Sequence, residues 1–247
     1  VVGGAMLMLI IGVARGLHIP TSWREWGLYI VLGMTGNFVY QVVFNQGLMT
    51  IPAATSSIIM ALTPMTTALM ALVVYKDHMR PIGWVFTITA FLGVAIIILW
   101  NGSINIPVGA FWTLLGMVLF AIYNIVNRGL SLKGHDPITV ATWSMFTGAI
   151  MALPFVSQSV VNIAAAPAIT WVAIMYLAFF SSALGFVFWS YALEHAEHVS
   201  DVTNFMYLSP VVAAIGAAIL VGEIPDMGLY IGAPIILGSL YMFNKCR

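Results

Sequence analysis

The chain has 247 residues, 62% of them hydrophobic and only 6% charged, with a formal net charge of zero. Soluble domains are about 25% charged, so these few charges cannot cover a water-facing surface and lipid must cover most of it; the balanced charge also excludes nucleic acid as a partner. The single cysteine, Cys246, lies beside the C-terminus, which excludes an internal disulfide framework and a cysteine-rich metal site.

Charges, prolines, glycines and asparagines divide the chain into apolar runs. In order they predict spans near 1–14, 26–48, 53–75, 82–100, 107–127, 137–157, 168–193, 201–221 and 226–244. Most are long enough to cross a hydrocarbon core of about 30 Å as a helix. The first starts at Val1 with no charged leader and rises only about 21 Å, so it is expected to be a helix whose beginning is missing. Helices are the expected spanning element, because backbone in lipid must satisfy its own hydrogen bonds. The alternating polarity of barrel strands is not seen.

The basic residues orient these spans. Arg15 and Arg24 fall in the first connection, Lys76 and Arg80 in the third, Arg128 and Lys133 in the fifth, and Lys245 and Arg247 after the last span. All 8 basic residues therefore lie on one side, which the positive-inside rule makes cytoplasmic, together with the C-terminus. The seventh connection, Glu194 to His198, shares that side but is acidic.

The chain also repeats itself. Trp26 and Trp171, Leu48 and Leu193, Gly83 and Gly228, and Gly93 and Gly238 are each 145 positions apart. Thr63-Pro64 leads to Asp77 as Ser209-Pro210 leads to Glu223, 13 positions after each proline. The span at 26–48 starts in the cytoplasm and its mate at 168–193 starts outside, so the halves are expected to be inverted. Five spans follow position 107 and four precede it, which predicts a protein of five plus five helices lacking its first. The expected halves are 1–100 and 107–244.

The Tyr40–Leu48 and Ser56–Pro64 stretches, and Leu208-Ser209-Pro210 leading to Gly222-Glu223, resemble the EamA-like branch of the drug/metabolite transporter superfamily. The resemblance covers essentially the whole chain. It implies a multi-pass carrier of small metabolites, with a central cavity lined by the third, fourth, eighth and ninth helices of the intact protein and helped by the first and sixth. Where that family usually has Glu, this chain has Asp77.

Amides and hydroxyls are the strongest polar groups expected at membrane depth, since no acid or base falls in the middle of a span. Asn37, Gln41 and Asn45 are spaced by four and share one helix face, which should look inward as a solute pathway or as a contact between helices. Their repeat mates Ser182, Phe186 and Ser190 carry no amide, so a solute would be held asymmetrically. Asn124 is expected on the pathway, and Asn127, beside Arg128, is expected only to solvate that helix end. Trp189, Tyr191, Asn204 and Tyr207 offer stacking and hydrogen bonds, although interfacial aromatics are common in membrane proteins. Pro64 and Pro210 fall in mid-span and are expected to bend the helices, as static kinks that open the cavity or as paired hinges. Gly228 and Gly232 form a small-residue contact face. The Glu194, His195, Glu197, His198, Asp201 group has metal-ligand residue types without zinc-helix spacing and reads as a solvated connection.

Together these features predict a secondary transporter exporting a small, neutral or zwitterionic solute such as an amino acid across the cytoplasmic membrane by alternating access, with lipid as its surroundings and a homodimer allowed. No cofactor or metal is expected. The alternatives are a membrane-embedded enzyme or a non-transporting membrane subunit. The 5 histidines all lie in connections and no phosphate-binding glycine loop occurs, so the sequence offers an enzyme no catalytic set. The lack of a mid-span lysine excludes a retinal Schiff base.

Overall fold

The computed structural model describes residues 2–14, 16–76, 81–100, 107–155, 167–196, 199–203 and 227–246, with positions 206, 212, 216 and 219 besides. Among the described residues the ordered elements are helices, without strands. They are α1 (Val2–Ala14), α2 (Trp23–Leu48), α3 (Ala53–Met60), α4 (Thr63–Val74), α5 (Pro81–Leu99), α6 (Val108–Ser131), α7 (Pro137–Ala152), α8 (Ala168–His195), α9 (Val199–Thr203) and α10 (Met227–Cys246). Five stretches are long and apolar enough to cross a membrane: Trp23–Leu48, Thr55–Val74, Val108–Ser131, Pro137–Phe155 and Ala168–His195. Val2–Ala14, Pro81–Ile97 and Met227–Phe243 are shorter apolar helices. The predicted span at 201–221 lies mostly outside the described residues.

Local chemistry sets the helix starts. Ser22 caps α2 by accepting from the Arg24 N–H at 3.1 Å, and Glu25 in the first turn accepts from the Thr21 N–H at 3.1 Å. Asp136 caps α7 by accepting from the Thr139 N–H at 3.0 Å, with Pro137 in the first turn, where a missing N–H costs nothing.

The chain divides into two compact units, Val1–Gln41 with Tyr123–Glu197, and Val42–Ile122 with His198–Arg247. In the first unit α7 packs against α1, α2 and α8. The core there is made of small or flexible residues: Ala5, Met8, Ala141, Met145, Ala149 and Ala183. Such surfaces suit lipid, where helices associate through close packing rather than hydrophobic burial. The crossing of α2 and α7 rests on Gly33 and Gly148: a Cβ on Gly33 would overlap the Thr147 hydroxyl and sit 2.5 Å from the Gly148 nitrogen.

Two wide helical turns interrupt this unit. Over Gly33–Phe38 the Val39 N–H bonds the Met34 carbonyl, five residues back, and over Leu177–Leu184 the Gly185 N–H bonds the Phe180 carbonyl. Wide turns of this kind shift the faces of the helix that follows and concentrate at functional sites.

In the second unit the mid-span proline produces a break rather than a smooth kink. α3 ends at Met60, α4 starts at Thr63, and the Leu62 N–H turns back to the Ile59 carbonyl, three residues away, at 3.1 Å. Pro64 then occupies the first turn of α4. It cannot donate to the Met60 carbonyl, and the Thr63 hydroxyl does so instead at 2.6 Å. The sequence pair Thr63-Pro64 is thus a self-contained way to break a helix in lipid without stranding a carbonyl. Pro210 lies outside the described residues, as do Asp77 and Glu223. α5 and α10 pack through Gly93 and Gly232, each too close to the other's backbone to admit a Cβ without displacement. Gly232 therefore acts as the contact residue its spacing suggested.

Candidate functional site

Within the first unit, the C-terminal half of α6 turns a polar face to α8. Tyr123, Asn124, Asn127, Arg128 and Ser131 recur at intervals of three and four, which places them on one side of a helix. All five are buried. The Trp189 indole N–H donates to Asn124 Oδ1 at 2.9 Å. The Asn127 amide donates to the Tyr123 hydroxyl and to Ser190 Oγ, each at 3.0 Å. The Tyr123 ring meets Phe186 edge-on at 5.7 Å, and a Cβ on Gly36 of α2 would overlap it. Gly36 thereby lets α2 approach Tyr123 and brings its neighbour Asn37 into the interior, 2% exposed. The result is a seam of amides, hydroxyls and aromatic rings.

Two atoms of this seam are not hydrogen-bonded among the described residues: Asn37 Nδ2, a donor, and Asn127 Oδ1, an acceptor. A buried polar atom without a partner costs about 1–3 kcal/mol and calls for a partner such as water or a ligand. One donor and one acceptor, with no acid in the seam, suit a solute that presents both kinds of group without net charge.

Arg128 closes the end of the seam. Its guanidinium donates to the carbonyls of Leu193 at 2.6 Å and Glu194 at 3.2 Å, the last turn of α8. A cation there satisfies orphan carbonyls and complements the helix dipole. Arg128→Met is expected to destabilise the protein by about 2–3 kcal/mol, because it leaves two carbonyls short of a charged donor. Thermal unfolding in detergent checks this, and an unchanged midpoint would show that the cap contributes nothing.

Of the sequence-predicted pathway residues, Asn124, Trp189 and Ser190 come together in the seam. The stripe of α2 is not uniform: Asn37 is buried, Gln41 half-buried and Asn45 exposed. Ser182 is half-buried in the wide turn of α8, with its Cβ beside Gly4. Asn204 and Tyr207 lie outside the described residues. Asn127 corrects an expectation: it is fully buried rather than solvating a helix end, because α6 continues to Ser131 and places it a turn inside. Tyr123 escaped the sequence reading, although its spacing of four from Asn127 was visible. The Glu194-His195 pair belongs to the last turn of α8 rather than to a loop; His195 stacks on Tyr191 at 4.1 Å and approaches Glu194 at 3.4 Å. Glu197 and His198 lie outside the described residues.

Several long apolar helices, packed through small residues and enclosing an acid-free polar seam, define a multi-pass membrane protein. The sequence profile of the EamA-like transporter family matches residues 1–99 and again 107–245. The chain belongs to the EamA-like transporter family and is a membrane transporter. It is 28% identical over 230 residues to a probable terminal-alkyne amino-acid exporter of Streptantibioticus cattleyicolor, covering 93% of this chain and 76% of that protein. It is 29% identical over 245 residues to the uncharacterized transporter YyaM of Bacillus subtilis, covering 96% of this chain and 79% of the relative. The S-adenosylmethionine uptake transporter of Rickettsia felis is 24% identical over 211 residues, covering 85% and 67%. These names point to transport rather than catalysis. A protein of known crystal structure shares the fold, with a TM-score of 0.65 at 19% identity, over 98% of this chain and 85% of that one.

Proposed function

We propose that the chain is a secondary carrier that exports a small neutral or zwitterionic solute, an amino acid or a close derivative, across the cytoplasmic membrane by alternating access between inverted halves, 1–100 and 107–244. The observation that carries this reading is the buried, acid-free seam, with an unpaired donor on Asn37 and an unpaired acceptor on Asn127. Asn37, Asn124, Asn127, Trp189 and Ser190 are assigned to solute contact. Gln41, Asn45, Ser182, Asn204 and Tyr207 are assigned to the path leading to it.

Three further observations support it. The offset of 145 carries the wide turn Gly33–Phe38 onto 178–183, inside the wide turn Leu177–Leu184. α5 and α10, the last helices of the proposed halves, pack on one another. The exporter from Streptantibioticus cattleyicolor carries an amino-acid substrate in its name.

Proteoliposomes holding the purified chain and preloaded with a single amino acid are expected to exchange it for labelled solute outside. A panel of neutral, acidic and basic amino acids should give exchange confined to the neutral set, and exchange of acidic solutes alone would overturn the assignment of the seam.

A further inference from the structure

The first and fifth connections line a second polar site, open to the surface, that the seam does not use. Two adjoining cavities, of about 250 and 330 Å³, share His18, Asp136 and Thr139 in their walls. The smaller is completed by apolar or small residues, chiefly Leu17 and Ile138; the larger by Lys133 and His135. The walls are held by contacts within the unit. The Trp143 indole donates to the His18 carbonyl at 2.9 Å, and Gly16 and Gly134 take left-handed backbone, φ +77° and +82°, which other residues rarely adopt, to turn the two connections back. Tyr29 fixes the His135 ring through their shared hydrogen bond at 3.2 Å.

The charges are divided in a way that selects a ligand. Lys133 lines the larger lobe and not the smaller. Asp136 lies between the lobes; one of its oxygens caps α7, and a carboxylate has lone pairs for further donors. Leu17 and Ile138 supply an apolar wall in the smaller lobe. We infer that this depression binds a small zwitterion, its carboxylate toward Lys133 and His135, its ammonium toward Asp136 and its apolar side chain against Leu17 and Ile138. It would act as a vestibule that collects solute on the cytoplasmic side, and in that role the inference rests on the transport reading above.

The test uses the full chain in detergent and three probes read by saturation-transfer NMR: L-leucine, L-leucinamide, which lacks the carboxylate, and N-acetyl-L-leucine, which lacks the ammonium. The unsubstituted protein is expected to bind leucine about tenfold more tightly than either analogue, the loss of one charge-assisted contact. Lys133→Gln should erase the preference over leucinamide and keep the preference over N-acetyl-leucine. Asp136→Asn should do the reverse, and asparagine preserves the cap of α7. Equal binding of the three probes, no binding, or preferences untouched by both variants would overturn the vestibule. Flux in proteoliposomes separates the two readings: the crossed pattern without amino-acid exchange sinks the transport assignment alone, and exchange without the crossed pattern sinks the vestibule alone.

Discussion

Asn127→Leu is expected to lower solute exchange in proteoliposomes by at least about tenfold, while the protein still reconstitutes. The substitution keeps the number and branching of the side-chain heavy atoms. It removes the donors to Tyr123 and Ser190 and the unpaired acceptor Oδ1 in one step. Loss of one hydrogen bond to bound solute corresponds to about 1–1.5 kcal/mol, or about tenfold in binding. A merely structural role would lower the unfolding midpoint and the amount of active carrier without moving the apparent solute affinity. A contact role raises the half-saturating concentration. Asn37→Leu provides the second arm of a cycle: if both amides hold one solute, the double variant loses less than the sum of the single losses. Normal exchange and unchanged half-saturation in both single variants would remove the seam from the pathway.

The second large effect concerns packing. Gly33→Ala is expected to destabilise the protein by about 1–3 kcal/mol or more, because the new methyl group meets the Thr147 hydroxyl, the Gly148 nitrogen at 2.5 Å and the Ser144 carbonyl at 2.8 Å. Two of those three neighbours are backbone, so relief requires α2 and α7 to separate. Gly27 lies on the same helix with nothing within 4 Å of its would-be Cβ. Gly27→Ala should therefore be neutral or stabilising by up to about 1 kcal/mol, the helix-propensity gain alone. Unfolding midpoints in one detergent compare the pair directly. Equal shifts would show that the α2–α7 approach is looser than described.

The five long spans were legible in the sequence because hydropathy is local: a run of apolar residues pays no polar cost in lipid wherever the rest of the chain lies. The starts of α2 and α7 were equally local, resting on Ser22 with Glu25 and on Asp136 with Pro137. Asn124, Trp189 and Ser190 could be named as polar groups at depth, since lipid makes any such group conspicuous. Which of them would meet was not legible. The wide turn at Gly33–Phe38 interrupts the 3.6-residue period on which a spacing-of-four argument depends, and Asn37, Gln41 and Asn45 end in three different environments. Asn127 looked like an end residue because Arg128 follows it, yet that arginine is itself drawn inward by the carbonyls of α8.

The sequence by itself determined that this is a helical membrane protein, because composition, span length and charge placement are summed along the chain, and its repeated motifs carried the resemblance to a transporter family. Only the tertiary structure decided that α6 and α8 pair their polar residues into one seam, that glycines bring α2 onto it, and that two connections share the cavities lined by Lys133 and Asp136. Those outcomes depend on side chains more than 60 positions apart meeting at hydrogen-bond distance, as Asn124 and Trp189 do, and no local pattern specifies such a pairing.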